Sequence, residues 1–237
     1  SATDVDSNTT YTYGIDGGTI SGSTVTKTGS YGTLTLNRTT GAYTYTPDSN
    51  AINALSSNVT EQFTFNVSDG SGSPDTKALV ISIDSVNDAP LLGGTAVTQT
   101  YVENGSAVQV DSNITITDLE GTSYDGGYIS FSITANKESL DNLSVLNLGG
   151  ITLSGSNVNY GGQTIGTLDS VYNGQNGNDL RINLNSNAYS LDVQALARAV
   201  GFSNPSDNFG TQSRAIEIKV NDGGDGGNTT ARYSTKT

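Results

Sequence analysis

The sequence predicts an all-β protein made of two consecutive β-sandwich domains. Short runs of alternating apolar and polar residues recur along the chain, and turn-forming Gly, Asn and Asp separate them. The chain has 237 residues, of which 29 are glycine, and 33% of the residues are hydrophobic. This length suits two domains better than one small sandwich, and the hydrophobic content is sufficient for two modest cores.

The composition excludes several classes of function. With no cysteine and no histidine, the chain has no thiolate site and no Ser-His-Asp triad, and it lacks the usual zinc and haem ligands. A net charge of -13 disfavours nucleic acid and anionic membranes as partners. No stretch approaches the roughly 20 apolar residues of a membrane span. Oxygen ligands remain, and these suit calcium. No signal peptide is visible at Ser1, so we expect an internal part of a longer protein.

The first predicted domain covers residues 1–90. Its alternating runs are "YTYGI", "GTLTLN", "GAYTYT", "EQFTFNV" and "ALVISI", and each places apolar side chains on one face. The segment "NRTTGAY" predicts a hairpin connection. The segment "SNAINALS" predicts one helical turn, with Ser49 or Asn50 as its cap.

The second predicted domain covers residues 91–237. Alternation continues through "TQTYVEN", "SAVQV", "NITITD" and "YISFSITA", and an insert over residues 136–187 carries short strands. Helical spacing of Leu191, Ala195, Leu196 and Ala199 predicts a helix from about Leu191 to Val200, with Ser190 as cap. The alternative is a strand, "YSLDVQA". The segment "FTFNVSDGSGS" in the first domain matches "IEIKVNDGGDG" in the second, which indicates related sandwiches in tandem.

Acidic residues are concentrated where the two predicted domains meet. Asp84, Asn87 and Asp88 lie in "DSVNDAP", and Asp118 and Glu120 lie in "ITDLEG", with no Lys or Arg between residues 84 and 125. In a strand, residues 118 and 120 would point to the same side. Crowded carboxylates repel each other, and a divalent cation removes that cost. The alternative is that these residues only form polar turns.

These segments resemble the VCBS and bacterial cadherin-like repeats. The first domain carries the resemblance in "YGTLTLN", "GAYTYTP", "FTFNVSDG" and the closing "VNDAP". The second domain is similar to a longer repeat of this kind in "YVENGSAVQV", "ITITDLEG" and "IEIKVNDGGDGGNT". The resemblance implies cadherin-like, Ig-like sandwiches strung together in a giant adhesin of the RTX type. It also implies type I secretion, an extracellular location at the bacterial cell surface, and bound Ca²⁺.

The resemblance further implies a set of calcium ligands. The cadherin acids "ENxP", "DxD" and "DxG" fall on Glu103, on Asp118 with Glu120, and on Asp222. The ligands implied near the junction are Asn87, Asp88, Glu103, Asp118, Glu120, Asp222 and Asp84. The equivalents in the first domain are Asp4, Asp6 and Asp69, which would serve a preceding junction.

Three functions compete at this point. The first is a calcium-stiffened structural spacer of an adhesin, whose partners are neighbouring repeats of the same chain. The second is a carbohydrate-binding module, which would use some of the 12 tyrosines or the insert and bind a surface glycan or a host or biofilm component. The third is an enzyme that uses paired carboxylates. We predict the spacer and no enzymatic activity, because the acidic residues lie in turn motifs at a domain end.

Overall fold

The computed structural model describes residues 10–224 and 232–237. The chain divides into two compact units, Ser1–Val86 and Asn87–Thr237. The division falls four residues before the predicted boundary after residue 90. Strands dominate both units, and the described residues contain only two short helices, so the predicted all-β class is confirmed. No described helix is long and apolar enough to cross a membrane.

From residue 10 onward, the first unit contains seven strands and one helical turn. Their bounds are β1 (Thr12–Ile15), β2 (Thr19–Ser21), β3 (Thr24–Thr28), β4 (Gly32–Asn37), β5 (Tyr43–Pro47), α1 (Ser49–Ile52), β6 (Val59–Ser68) and β7 (Asp75–Ile83). One antiparallel sheet has the order β1-β6-β7 and the other has the order β2-β3-β4-β5. Their facing side chains form one core, built on Ile15, Val25, Leu34, Leu36 and Phe63. This core is the packing that period-two alternation predicts.

Local details of the first unit differ from two expectations. The helical turn is capped by Asp48, whose Oδ1 accepts the Asn50 amide at 3.0 Å, so the predicted caps Ser49 and Asn50 are wrong. Asp48 satisfies the free N–H groups of the first turn, and Ser49 is already inside the helix. In β7 the apolar residue Val80 faces outward and is 57% exposed, against the predicted polar outer face. The predicted hairpin after β4 is present, with Gly41 at φ 71°.

A buried carboxylate fixes the end of the first unit's core. Glu61 is 8% exposed. Its Oε1 accepts a hydrogen bond from the Tyr31 amide at 3.1 Å and another, at a shorter distance, from the Ser30 amide. Its Oε2 accepts the Tyr45 hydroxyl at 2.8 Å. Burial raises the pKa of Tyr45 to about 12, and the hydrogen bond to Glu61 and the negative charge of Glu61 add to the shift. Glu61 thus joins the β3–β4 turn to the opposite sheet through three donors.

The second unit contains twelve strands and one helix among its described residues. Their bounds are β8 (Leu91–Gly93), β9 (Val108–Gln109), β10 (Thr115–Thr117), β11 (Tyr128–Ala135), β12 (Asn142–Val145), β13 (Thr152–Ser154), β14 (Asn157–Tyr160), β15 (Gln163–Asn173), β16 (Leu180–Leu184), α2 (Ser190–Arg198), β17 (Val200–Ser203), β18 (Ala215–Asn221) and β19 (Tyr233–Lys236).

A seven-stranded sheet organises the second unit. Its order is β13-β14-β15-β16-β11-β18-β19, and smaller sheets, β12-β17-β9 and β10-β8, accompany it. Strands β13 to β16 of the predicted insert therefore extend the main sheet, while its β12 joins a smaller sheet. Strand β11 pairs with β18 from Tyr128 opposite Asn221 to Ala135 opposite Ala215. This ladder defines two ends of the sheet, one beside residue 222 and one beside residue 214. The core contains Ile129, Phe131 and Ile133 of β11.

The helix prediction is confirmed, and the alternative strand is wrong. Helix α2 buries Val193, Leu196 and Ala197, whereas Leu191 is 72% exposed. The predicted apolar face is thus rotated, because Val193 packs inward in place of Leu191. Ser190 is not the cap: the helix begins there, and Asp192 Oδ2 accepts the Tyr189 amide at 2.9 Å. The Gln194 side chain accepts the Ile116 amide at 3.1 Å, which holds β10 against the helix.

The predicted run "TQTYVEN" is not a strand. Residues 95–107 form no ladder, and the polypeptide turns at residues 103–104, with Asn104 at φ 57°. Side-chain contacts anchor this segment: the Tyr101 hydroxyl donates to the Asn204 carbonyl at 2.9 Å, and its ring packs edge-on against Phe202. The alternation of apolar and polar residues in this segment therefore does not mark a strand. It arises because single side chains such as Tyr101 anchor the segment to the rest of the unit.

An arginine closes the end of the second unit beside residue 214. The Arg214 guanidinium lies 3.0 Å from Glu138 and 3.2 Å from Asp141, and the Asp141 side chain is fully buried. Asp141 also accepts the Asn204 amide group at 2.8 Å. At this end, two carboxylates are neutralised by a cation that the chain itself supplies.

We predict that Tyr45→Phe destabilises the first unit by about 1–3 kcal/mol, because Glu61 Oε2 keeps its burial and loses its donor. Calorimetric unfolding of the full chain measures this through the transition of the first unit. Tyr43→Phe is the matched control, since Tyr43 is 53% exposed on the same strand. Equal effects of the two variants would contradict the role assigned to Glu61.

Candidate metal site

Polar side chains converge at the end of the second unit where the chain enters from the first. Strand β10 ends at Thr117, and Asp118 and Glu120 follow in a bend. Strand β18 ends at Asn221, and Asp222 follows. Asn87 and Asp88 precede β8. Asp118 and Glu120 therefore do converge, as predicted, but they do so through the bend and not through strand alternation.

Close backbone packing sets the position of Asp222. A Cβ added at Gly127 would lie 2.2 Å from the Asn221 carbonyl oxygen, and one at Gly223 would lie 2.1 Å from the Asp125 carbonyl oxygen. Gly223 also has φ +79°, a conformation that favours glycine. The turn before β11 and the turn after β18 can approach this closely only because both positions lack a side chain.

Asp222 is a structural anchor. It is 4% exposed, and its Oδ1 accepts the Gly224 amide at 2.9 Å and the Arg232 amide at 2.8 Å. Its Oδ2 accepts the Asn87 side-chain amide at 3.0 Å, and Asn87 is 2% exposed. This contact ties the first residue of the second unit to the end of β18.

When both are ionised, Asp118 and Glu120 carry carboxylate oxygen atoms for which the protein supplies no donor. Asp118 Oδ1 and Glu120 Oε2 are buried atoms with no hydrogen-bond partner. Glu120 Oε1 accepts the Asp88 amide at 3.2 Å. Unsatisfied buried oxygens in native proteins call for an explanation, and an ion that occupies the site is one such explanation.

The electrostatics of the cluster favour a proton or a cation. Burial, followed by the hydrogen bond and the negative charge of Glu120, raises the pKa of Asp118 to about 7, and the charge of Asp222 adds to the shift. Tyr124 is 1% exposed beneath the cluster, and its hydroxyl lies 3.2 Å from Ser190 Oγ. Burial and the charge of Asp118 raise the pKa of Tyr124, so its hydroxyl stays protonated.

The fit to calcium is partial. Carboxylate oxygens without donors suit a hard cation, which takes about six to eight oxygen ligands. Among residues 10–224 and 232–237, however, no group of three or more acidic residues has the spacing of a formed metal site. Both oxygens of Asp222 already accept hydrogen bonds, whereas Asp118 Oδ1 and Glu120 Oε2 accept none.

The structure does not bring Glu103 to this cluster. Its neighbour Asn104 donates to Asp207 at 2.9 Å, and Tyr101 donates to the Asn204 carbonyl. Asn204 contacts Asp141, which is bonded to Arg214 at the opposite end of the β11–β18 ladder. Glu103 therefore lies at the far end of the second unit from Asp118.

The remaining predicted ligands are exposed or lie outside the described residues. Asp84 is an exposed residue of the first unit. Asp69 is exposed in the turn after β6, where it accepts the Ser71 amide at 2.7 Å. The Asp88 side chain is exposed, and only its amide reaches the cluster. Asp4 and Asp6 lie outside the described residues.

Sequence reasoning missed Tyr124 and Glu61. Nothing in "GTSYDGG" distinguishes Tyr124 from a loop tyrosine. Glu61 did leave a signal, because it occupies the same alternating face as Phe63 and Phe65 and is the acidic residue on that face of β6. A charged residue in a core-facing position indicates a specific set of buried donors.

One comparison with known proteins found a match in the first unit. Residues 1–85 match the family model described as a bacterial cadherin-like domain. The match covers 85 of the 237 residues and ends at the edge of the first unit. No curated protein matches the chain. The match supports a cadherin-like repeat for the first unit, and the Asp118 cluster lies outside it.

We predict that the metal-free second unit loses stability as pH rises from about 4 to about 7. A carboxyl group with a higher pKa in the folded than in the unfolded state stabilises the fold when protonated. For Asp118 that contribution is complete below the unfolded value of 3.8 and is lost as pH rises through about 7. Urea unfolding at a series of pH values in metal-free buffer measures the slope of the unfolding free energy against pH.

Asp118→Asn should flatten this slope, since the amide does not titrate. Asp125→Asn is the control, because Asp125 is an exposed acid in the adjoining loop. If the unfolding free energy of Asp118→Asn varies with pH as steeply as that of the unsubstituted chain and of Asp125→Asn, the assignment to Asp118 is contradicted.

Proposed function

We propose that this chain is a calcium-responsive repeat region of a bacterial surface adhesin, which acts as an extracellular structural spacer. The match of the first unit to a bacterial cadherin-like domain supports a role in extracellular adhesion. Such domains are typically extracellular and non-enzymatic. The RTX-type adhesin, the VCBS character of the repeat and type I secretion are the finer parts of the proposal, and they rest on the sequence resemblance.

One observation carries the calcium proposal. Asp118 Oδ1 and Glu120 Oε2 are buried without a donor, beside the anchored carboxylate of Asp222. The sequence contains no Lys or Arg from residue 84 to residue 125 that would compensate them. A bound cation would supply the missing positive charge, and Asp118 and Glu120 are the residues that would hold it first.

The position of the cluster supports a role in restraining the linker. Asn87 already donates to Asp222, and the Asp88 amide already donates to Glu120. Pro90 is buried, fixes its own φ and restricts Ala89 to extended conformations. A cation on Glu120 would therefore stabilise the group that orients residue 88, at the place where the chain leaves the first unit.

We predict that calcium raises the unfolding temperature of the second unit. At a hundred times its Kd, a ligand specific for the folded state contributes about 2.7 kcal/mol. For a unit of this size the shift is roughly 5–10 °C. Calorimetry of the full chain in calcium and in chelator measures it.

The double variant Asp118→Asn/Glu120→Gln should abolish the calcium-dependent shift. Glu103→Gln is the matched control, because the family pattern makes it a ligand and the structure places it at the far end of the unit. A shift retained in the double variant, or lost in Glu103→Gln, would mean that the ion is held elsewhere.

We predict that calcium also narrows the range of distances between the two units. Small-angle scattering of the full chain should give a narrower distance distribution in calcium than in chelator, while the circular dichroism of the β-structure stays the same. Identical distributions in both conditions would contradict the spacer role even if calcium binds.

A further inference from the structure

The first unit has an open cleft beside one end of its core, where Leu36, Tyr13 and Phe65 contribute to both. The cleft has a volume of about 620 Å³, which lies in the usual range of about 300–1,000 Å³ for small-ligand sites. Aromatic rings and charged groups line it together. The aromatic members are Tyr11, Tyr13, Tyr43 and Phe65, and the charged members are Asp69, Asp75 and Lys77.

Strand register explains how these groups come to share one face. Phe63 lies opposite Leu79, and both contribute to the core of the unit. Two residues further along β6 and β7, Phe65 lies opposite Lys77, and two residues further again, Val67 lies opposite Asp75. Paired residues of an antiparallel ladder point to the same face of a sheet.

Lys77 and Asp75 therefore lie on the same face of the edge strand β7 as Leu79 and Ile81, but beyond the core, where their side chains are exposed. An inward charge on an edge strand discourages pairing with another sheet. Protection of the edge accounts for one charged residue. It does not account for the aromatic rings that lie next to both Asp75 and Lys77.

The rings are held in place and remain accessible. The Tyr43 and Phe65 ring centroids are 5.1 Å apart, yet Tyr43 is 53% exposed. The Tyr13 ring lies against Gly41, where an added Cβ would be 3.2 Å from it. Tyr11 extends the aromatic surface, with its centroid 6.4 Å from that of Tyr13.

We propose that this cleft binds a neutral saccharide. The C–H face of a sugar ring packs against an aromatic ring, and its hydroxyl groups both donate and accept hydrogen bonds. Asp75 can accept from such hydroxyls and Lys77 can donate to them. The two lining carboxylates and the net charge of -13 disfavour acidic sugars and nucleotides.

The alternative occupant of an aromatic groove is a proline-rich peptide. Proline has no N–H, so such a peptide offers few donors to Asp69 and Asp75. A saccharide satisfies these carboxylates and covers the rings at the same time. The inference is independent of the calcium site proposed at Asp118 and Glu120, because every lining residue belongs to the first unit.

The test uses the full chain on an array of neutral and acidic oligosaccharides, in calcium and in chelator. We expect binding to at least one neutral oligosaccharide in both conditions. Titration with that oligosaccharide should then show about a tenfold loss of affinity for Tyr43→Ala, which corresponds to about 1.4 kcal/mol. Asp75→Asn should weaken binding less.

Tyr172→Ala is the matched control, because Tyr172 is a tyrosine of the second unit that is 48% exposed. No neutral saccharide bound in either condition, or equal effects of Tyr43→Ala and Tyr172→Ala, would overturn the proposal. Binding of acidic saccharides alone would overturn it as well. So would nuclear magnetic resonance spectra in which the signals of the cleft residues shift with a polyproline peptide but not with any saccharide. If saccharide binding persists in chelator, the saccharide proposal holds even if calcium does not raise the unfolding temperature of the second unit.

Discussion

The second unit depends on how it neutralises carboxylates that its strands bring together. The β11–β18 ladder places Asp222 at one end, and the helix-supported strand β10 places Asp118 and Glu120 beside it. The chain cannot separate these groups without giving up the close packing at Gly127 and Gly223. A proton on Asp118, or a cation as proposed above, would compensate this charge.

The opposite end of the same ladder has the same problem and a different solution. There Glu138 and Asp141 lie against Arg214, which forms ion pairs with both. Asp111 is likewise paired with Lys236. Basic residues are thus available to this unit, yet within the described part of the chain no ion pair is formed by Asp118 or Glu120. This contrast makes the compensation at Asp118 dependent on the solution, through its pH or its cations.

Period-two alternation predicted the fold class and most strands, because a sandwich buries one face of each strand. The helix was also predictable, but its buried face was not: Leu191 and Val193 both fit helical spacing, and only packing against β10 selects Val193. At the site, Asp118 and Glu120 followed from clustering without basic partners. Glu103 could not be placed from sequence, since residues 95–107 form no ladder and side-chain contacts of Tyr101 and Asn104 hold this segment at the far end of the unit.

Terbium luminescence tests the central claim most directly, because terbium replaces calcium at oxygen sites and is sensitised by a nearby tyrosine. Tyr124 lies next to Asp118, so excitation of tyrosine should give terbium emission that calcium displaces. The emission should be lost in Tyr124→Phe/Asp118→Asn and kept in Glu103→Gln. Emission that is absent from the unsubstituted chain, or unchanged in the double variant, would contradict a cation site at Asp118 and Glu120.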